Sequence, residues 1–255
     1  MKKTALLLAA YMVVLICFTA CGTNKSYDDE TEKTTMSDEE RMSFYDDLAH
    51  PGELSNKEAT DPEALYIIDD NNGSRDLLDD TVYNDIINVF NKKYPDIYYK
   101  YGDRNYTPPR ITLNLDVTSF RDVPAYVVGN TININVEWFN KYPERVSTVL
   151  YYVARTVLDY NSSAPEWLTS SINYYIAVEF SAYGYAFTNG YKGGTYEDGG
   201  ATGADFLRWV GSKYNTDIVS DINKVLISET WFDGDFWVSA TGRTLDQLWA
   251  NYKAG

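Results

Sequence analysis

Histidine is nearly missing from this 255-residue chain: His50 is the only one. Within one chain, that excludes a metal site built on two or more imidazoles. It also excludes a serine nucleophile served by a histidine base elsewhere in the fold. Cysteine is almost as scarce. Cys17 and Cys21 are the only two, and both stand in the first 21 residues. The segment beyond them has no thiol for a disulfide, a nucleophile or a metal. Basic residues are outnumbered, with 22 Lys and Arg against 37 Asp and Glu. A chain so poor in positive charge is not a nucleic-acid binder. No phosphate loop is present either. "YKGGTYEDGG" has glycines but lacks a Gly-Lys-Ser/Thr and a strand–loop–helix setting. There is no internal repeat.

The N-terminus carries a processing signal. Lys2 and Lys3 precede an apolar run that ends in small residues before Cys21, in "FTAC". The run is short for a bilayer span and reads as a secretory signal. "FTAC" resembles a bacterial lipobox, which implies a lipid on Cys21. The organisation expected is a signal peptide over 1–20, an acidic flexible tether over 21–75 and a folded domain over 76–255. The protein is then lipid-anchored at a bacterial cell envelope, with the membrane as its partner through Cys21. "SYDDE" just after the cysteine resembles signals that route some lipoproteins to the cell surface; a solvated spacer is the alternative. Charge follows the same division. Residues 26–80 hold 18 acidic and 4 basic side chains, whereas residues 81–255 carry a net charge of only −4. Dense like charge with few apolar groups keeps the tether solvated.

Periodicity places the elements of the domain. Val82, Ile86, Val89 and Phe90 form a helical stripe, with Asp80 or Thr81 as cap and Pro95 beyond the end. "ITLNLDV" alternates as a strand, and two strand-like runs flank Gly129-Asn130, a hairpin signal. A helix is expected over 143–160, with Val146, Val149, Leu150, Val153 and Val157 on its buried face. Further helices are expected over 165–181, at "GADFLRWVGSKY", at "DIVSDINKVLIS" and at "TLDQLWANYKA". Strands first and helices after them give an α+β fold: a small mixed sheet followed by packed helices in a single domain.

The hairpin "VVGNTININVEWF" and the segments "TGADFLRWV" and "GRTLDQLWANYKA" carry a resemblance. Together they resemble the basic secretory protein family of plants and bacteria, whose domain is regarded as zincin-like. The resemblance implies a central helix with two zinc-binding histidines around a glutamate base, and a second helix supplying a further ligand. Here Tyr152 and Thr156 stand at the histidine positions, Val153 at the glutamate, Ser170 at the second-helix ligand and Tyr174 at a following aspartate. Tyrosine and threonine hydroxyls are poor zinc ligands at neutral pH, and valine cannot move a proton. No metal and no cofactor is therefore expected.

Two functions remain open. One is non-catalytic binding of a glycan, a peptide or a protein partner in the family's cleft. The chain holds 23 Tyr, 6 Trp and 10 Phe, and rings with an edge hydroxyl suit such surfaces. The glycine-rich loop 182–203 carries Tyr183, Tyr185, Phe187, Tyr191 and Tyr196. Trp167, Tyr174, Tyr183, Tyr191 and Tyr196 are the candidate ligand-binding residues, although rings that complete a small core explain the same composition. The alternative is a hydrolase using two carboxylates among Glu166, Glu179, Glu197, Asp198 and Asp205. Glu166 and Asp205 also have a plain helix-start explanation. The N-terminal reading has a direct check. Cys21→Ser should move the protein from the membrane fraction to the soluble fraction. A protein that stays membrane-bound without lipid would make the apolar run an anchor.

Overall fold

The computed structural model describes residues 66–70, 74–103, 108–116, 123–158, 160, 164–181, 186–228 and 234–255. The signal, most of the tether, Cys21, His50 and Tyr183 lie outside them. Helix α1 (Asp80–Tyr101) begins where the Asp79 carboxylate accepts from the Thr81 and Val82 N–H groups at 2.8 and 3.2 Å. It does not stop before Pro95 but runs through it. An interior proline costs about 3 kcal/mol in lost hydrogen bonding and ring clash. The turns beyond Pro95 bury Ile97, Tyr98 and Tyr101, and Ile97 alone returns about 1.5–3 kcal/mol. Burial of the C-terminal half outweighs the local rule.

Four strands form one sheet: β1 (Tyr66–Asp69), β2 (Ile111–Asp116), β3 (Ala125–Val128) and β4 (Thr131–Asn135), in the order β1-β2-β4-β3. The pairs β1–β2 and β2–β4 are parallel, and β3 runs antiparallel to β4 at the edge. Gly129 opens the two-residue hairpin at φ +53°, a conformation that glycine takes without a Cβ clash. Strand β1 falls inside the stretch expected as tether. Tyr66 is buried, with its ring 4.9 Å from Phe90, so the sheet reaches further back than residue 76. Four residues of strand within dense acid leave too short an apolar signal to stand out.

Eight α-helices follow or flank the sheet among the described residues. Asn135 ends β4 and caps α2 (Val136–Lys141) by accepting from the Trp138 N–H at 3.0 Å. Pro143–Thr148 is a 3-10 turn rather than the first part of the expected helix, because Arg145 leaves helical geometry at φ −101°, ψ 24°. Helix α3 (Val149–Leu158) then buries Val149, Leu150, Val153, Ala154 and Val157, the face read from the sequence. Helix α3 packs against α1, β3, β4 and α4 (Glu166–Phe180). Next come α5 (Gly200–Lys213), α6 (Ile218–Ile227), α7 (Asp235–Thr241) and α8 (Leu245–Ala254). Helix α7 has only seven residues and ends at the left-handed Gly242, too short for a periodic signal. The fold is α+β, a small mixed sheet with packed helices after it, as expected.

Helices α4 and α5 approach closely because Gly203 has no side chain. A Cβ there would lie 1.8 Å from Ser171 Oγ and 2.8 Å from Ser171 Cβ. Gly203→Ala should therefore cost about 1–3 kcal/mol through overpacking, read as a fall in Tm. Adding Ser171→Gly should recover part of that loss, since the pair meets at one point.

A candidate binding cleft between the third and fourth helices

Helix α3 contributes Tyr151, Arg155 and Thr156, helix α4 contributes Glu166, Thr169, Ser170 and Asn173, and the hairpin contributes Val127 and Gly129. Together with Tyr160 they line a cleft of about 360 Å³. Thr156 and Ser170, expected at former metal-ligand positions, do come together here. Tyr152 does not join them. Its hydroxyl oxygen accepts from the Ala125 backbone N–H, and burial pushes its pKa up to about 12.

The strand geometry explains that contact. Asn135 N–H donates to Pro124 O at 2.9 Å, so Ala125 and Ile134, which face each other, form a non-hydrogen-bonded pair. Their N–H and C=O groups point away from one another. Ala125, and Val127 two residues on, thus face the open side of β3. Tyr152 takes the first of these positions. Val127 keeps its outward pair beside the cleft, with no partner among the described residues.

The other replaced positions are satisfied locally. Thr156 Oγ1 donates to Tyr152 O at 2.9 Å. Ser170 Oγ donates to Trp167 O at 3.1 Å and accepts from Gly200 N–H at 3.2 Å. Val153 is fully buried. Tyr174 is half-buried, with its pKa raised by burial, and does not line the cleft. A zinc ion needs deprotonated oxygen, sulfur or imidazole donors converging on one point. A protonated phenol held by the sheet, two hydroxyls bonded within their own helices and a valine do not fit it. No group of three or more His, Cys, Asp or Glu gathers among the described residues.

The aromatic residues expected as walls have another place. Trp167 lies 4.9 Å from Tyr196, and Tyr196 and Tyr191 each lie 5.7 Å from Trp249. Phe206 and Tyr252 complete this ring cluster between α4, α5 and α8. None of these rings lines the cleft. Its rings are Tyr151 and Tyr160, which sequence reasoning missed, as it missed Asn173. Asn173 stands three residues after Ser170, on the same helical face, so spacing alone could have found it.

Of the five candidate carboxylates, only Glu166 lines the cleft. Glu179 pairs with Lys100 and accepts from the Tyr101 hydroxyl at 2.6 Å. Asp198 accepts from the Thr195 N–H at 2.7 Å, closing a capping box, and Glu197 is exposed. Asp205 is fully buried. It accepts from the Tyr252 hydroxyl at 2.6 Å, from Gly190 and Asn189 N–H groups at 2.8 and 3.2 Å, and from Arg208 at 2.9 Å. Burial pushes its pKa up, but those donors together outweigh it and hold the carboxyl below its ordinary value. It joins the glycine-rich loop to the last helix.

The family model described as BSP, peptidase of plants and bacteria, matches residues 77–252. No curated protein matches, and no solved structure matches. The matched span ends at Tyr252, the partner of Asp205. A carboxylate with a depressed folded pKa contributes stability above its unfolded pKa, and that contribution fades as pH falls through the folded value. Asp205→Asn should cost about 2 kcal/mol or more at pH 7 by weakening charge-assisted hydrogen bonds. The Tm gap to wild type should hold down to about pH 5 and narrow below about pH 4, the ordinary aspartate range. A gap independent of pH would show that the charge is not what matters.

Proposed function

The chain belongs to the BSP family of peptidases of plants and bacteria, and from that membership we propose a non-catalytic, peptidase-derived lipoprotein of the cell envelope whose cleft binds an extended peptide segment. The observation that carries this reading is the open side of β3 at Val127, next to a cleft lined with neutral hydroxyls and an amide. An extended chain can add to such an edge through backbone hydrogen bonds and place alternate side chains into an adjoining cavity. The Tyr152 hydroxyl already holds the Ala125 N–H, so added pairing starts at Val127. Val153 stands where a general base would have to act and offers no proton acceptor. The anchor is the lipid proposed on Cys21. Among the described residues, no helix is long and apolar enough to cross a membrane.

A pool of blocked heptapeptides provides the test. Binding should shift the Val127 and Gly129 amide resonances, and mass spectrometry should recover the peptides intact. Val127→Pro removes the outward N–H without breaking the ladder, because proline is tolerated at such edge positions. That variant should lose binding while its Tm stays within a few degrees of wild type. Peptide cleavage that disappears in Glu166→Gln would instead favour a hydrolase acting in the same cleft.

A further inference from the structure

The donors and acceptors inside the cleft do not balance. Four of its hydroxyls give their protons to the protein itself: Thr156 to Tyr152 O, Thr169 to Glu166 O, Ser170 to Trp167 O and Tyr160 to Asn223 Oδ1. Asn173 is different. It is only 5% exposed, and its Oδ1 has no hydrogen-bond partner. Its amide N–H donates to the Tyr151 hydroxyl oxygen, and the Tyr151 proton goes to no described residue. A buried, unsatisfied carbonyl oxygen costs about 1–3 kcal/mol, so an orphan facing a cavity marks a position that a ligand can satisfy. Next to it stands a hydroxyl still able to donate.

We infer that Asn173 Oδ1 and the Tyr151 hydroxyl form an acceptor–donor pair that reads a primary carboxamide, the side chain of glutamine or asparagine in the bound peptide. The inference rests on the peptide-binding reading above and names the side chain that enters the cleft. A carboxamide supplies an N–H for the orphan oxygen and a carbonyl for the tyrosine proton. A carboxylate would bring a second acceptor against Asn173 Oδ1. An aliphatic side chain would leave that oxygen unsatisfied. A site built to hydrogen-bond a group rejects the analogue that lacks it, because its own buried polar atoms are then unpaired. At the mouth, Arg155 and Glu166 are both exposed and of opposite charge, so the rim favours neither sign.

The probes are blocked heptapeptides, Ac-Thr-Val-Thr-X-Thr-Val-Thr-amide, with X as Gln, Glu or Leu, titrated against the folded chain by calorimetry. The Gln peptide should bind about tenfold more tightly than the other two, the effect of two net hydrogen bonds. In Asn173→Leu the preference for Gln over Leu should vanish or reverse. The Tm of that variant should hold or rise, since an unsatisfied buried atom has been removed. Tyr151→Phe should lose the Gln preference about threefold while remaining folded, which keeps the test valid if the leucine variant is unstable. Equal affinity for all three peptides, or a Gln preference that survives in Asn173→Leu, overturns this inference and leaves peptide binding standing. No binding by any of the three overturns both.

Discussion

The cleft owes its shape to the buried face of α3. Val149, Leu150, Val153, Ala154 and Val157 are packed against the sheet, α1 and α4, and that fixes the rotation of the helix about its own axis. A helix so fixed has no choice over where the rest of its residues go. Tyr152 must meet the edge strand, Thr156 must look into the gap towards α4, and Arg155 must stand in solvent. The valine at position 153 thus has a clear structural role. It extends the apolar stripe through a position where the family's pattern has a charged residue, and a charge at a site with no exposure would need a partner.

Polar groups around that stripe are satisfied close to home. Threonine back-bonds within its turn, serine bridges to the start of α5, and the tyrosine hydroxyl takes a backbone N–H from the sheet. Further out, a second network ties helices distant in sequence. The Tyr160 hydroxyl donates to Asn223 at 2.5 Å, Asn223 donates to Tyr101 O at 2.8 Å, and the Tyr101 hydroxyl reaches Glu179. One wall of the cleft is therefore anchored through α6 to α1. Against this background of satisfied groups, a single orphan amide oxygen stands out.

The fold was largely legible because it is written in period. The α3 stripe, the β2 alternation and the glycine of the hairpin each leave a pattern over several residues. Pro95 misled because a local breaker was weighed without the tertiary burial beyond it. β1 and α7 were missed because four and seven residues carry too little pattern. The site was legible only in part. Thr156 and Ser170 followed from alignment with the family's helices. Trp167 and Tyr196 did not reach the cleft because a helical residue's face depends on what packs there, and α8, far along the chain, claims those rings. Val127 could not have been found by residue type at all. What it offers is backbone, and only strand pairing decides which way that backbone points.

The open side of β3 is short. Tyr152 closes it at Ala125 and the chain turns back at Gly129, which leaves one outward-facing residue between them. An exposed strand edge normally invites a neighbouring molecule to pair with it and continue the sheet. One pair of free groups is too few to hold two copies together, although Val128 beside it is 64% exposed. The same hydroxyl that replaces a metal ligand thus works as a terminator against self-assembly. Molecules crowded side by side can keep an edge accessible to short guests without growing into fibres.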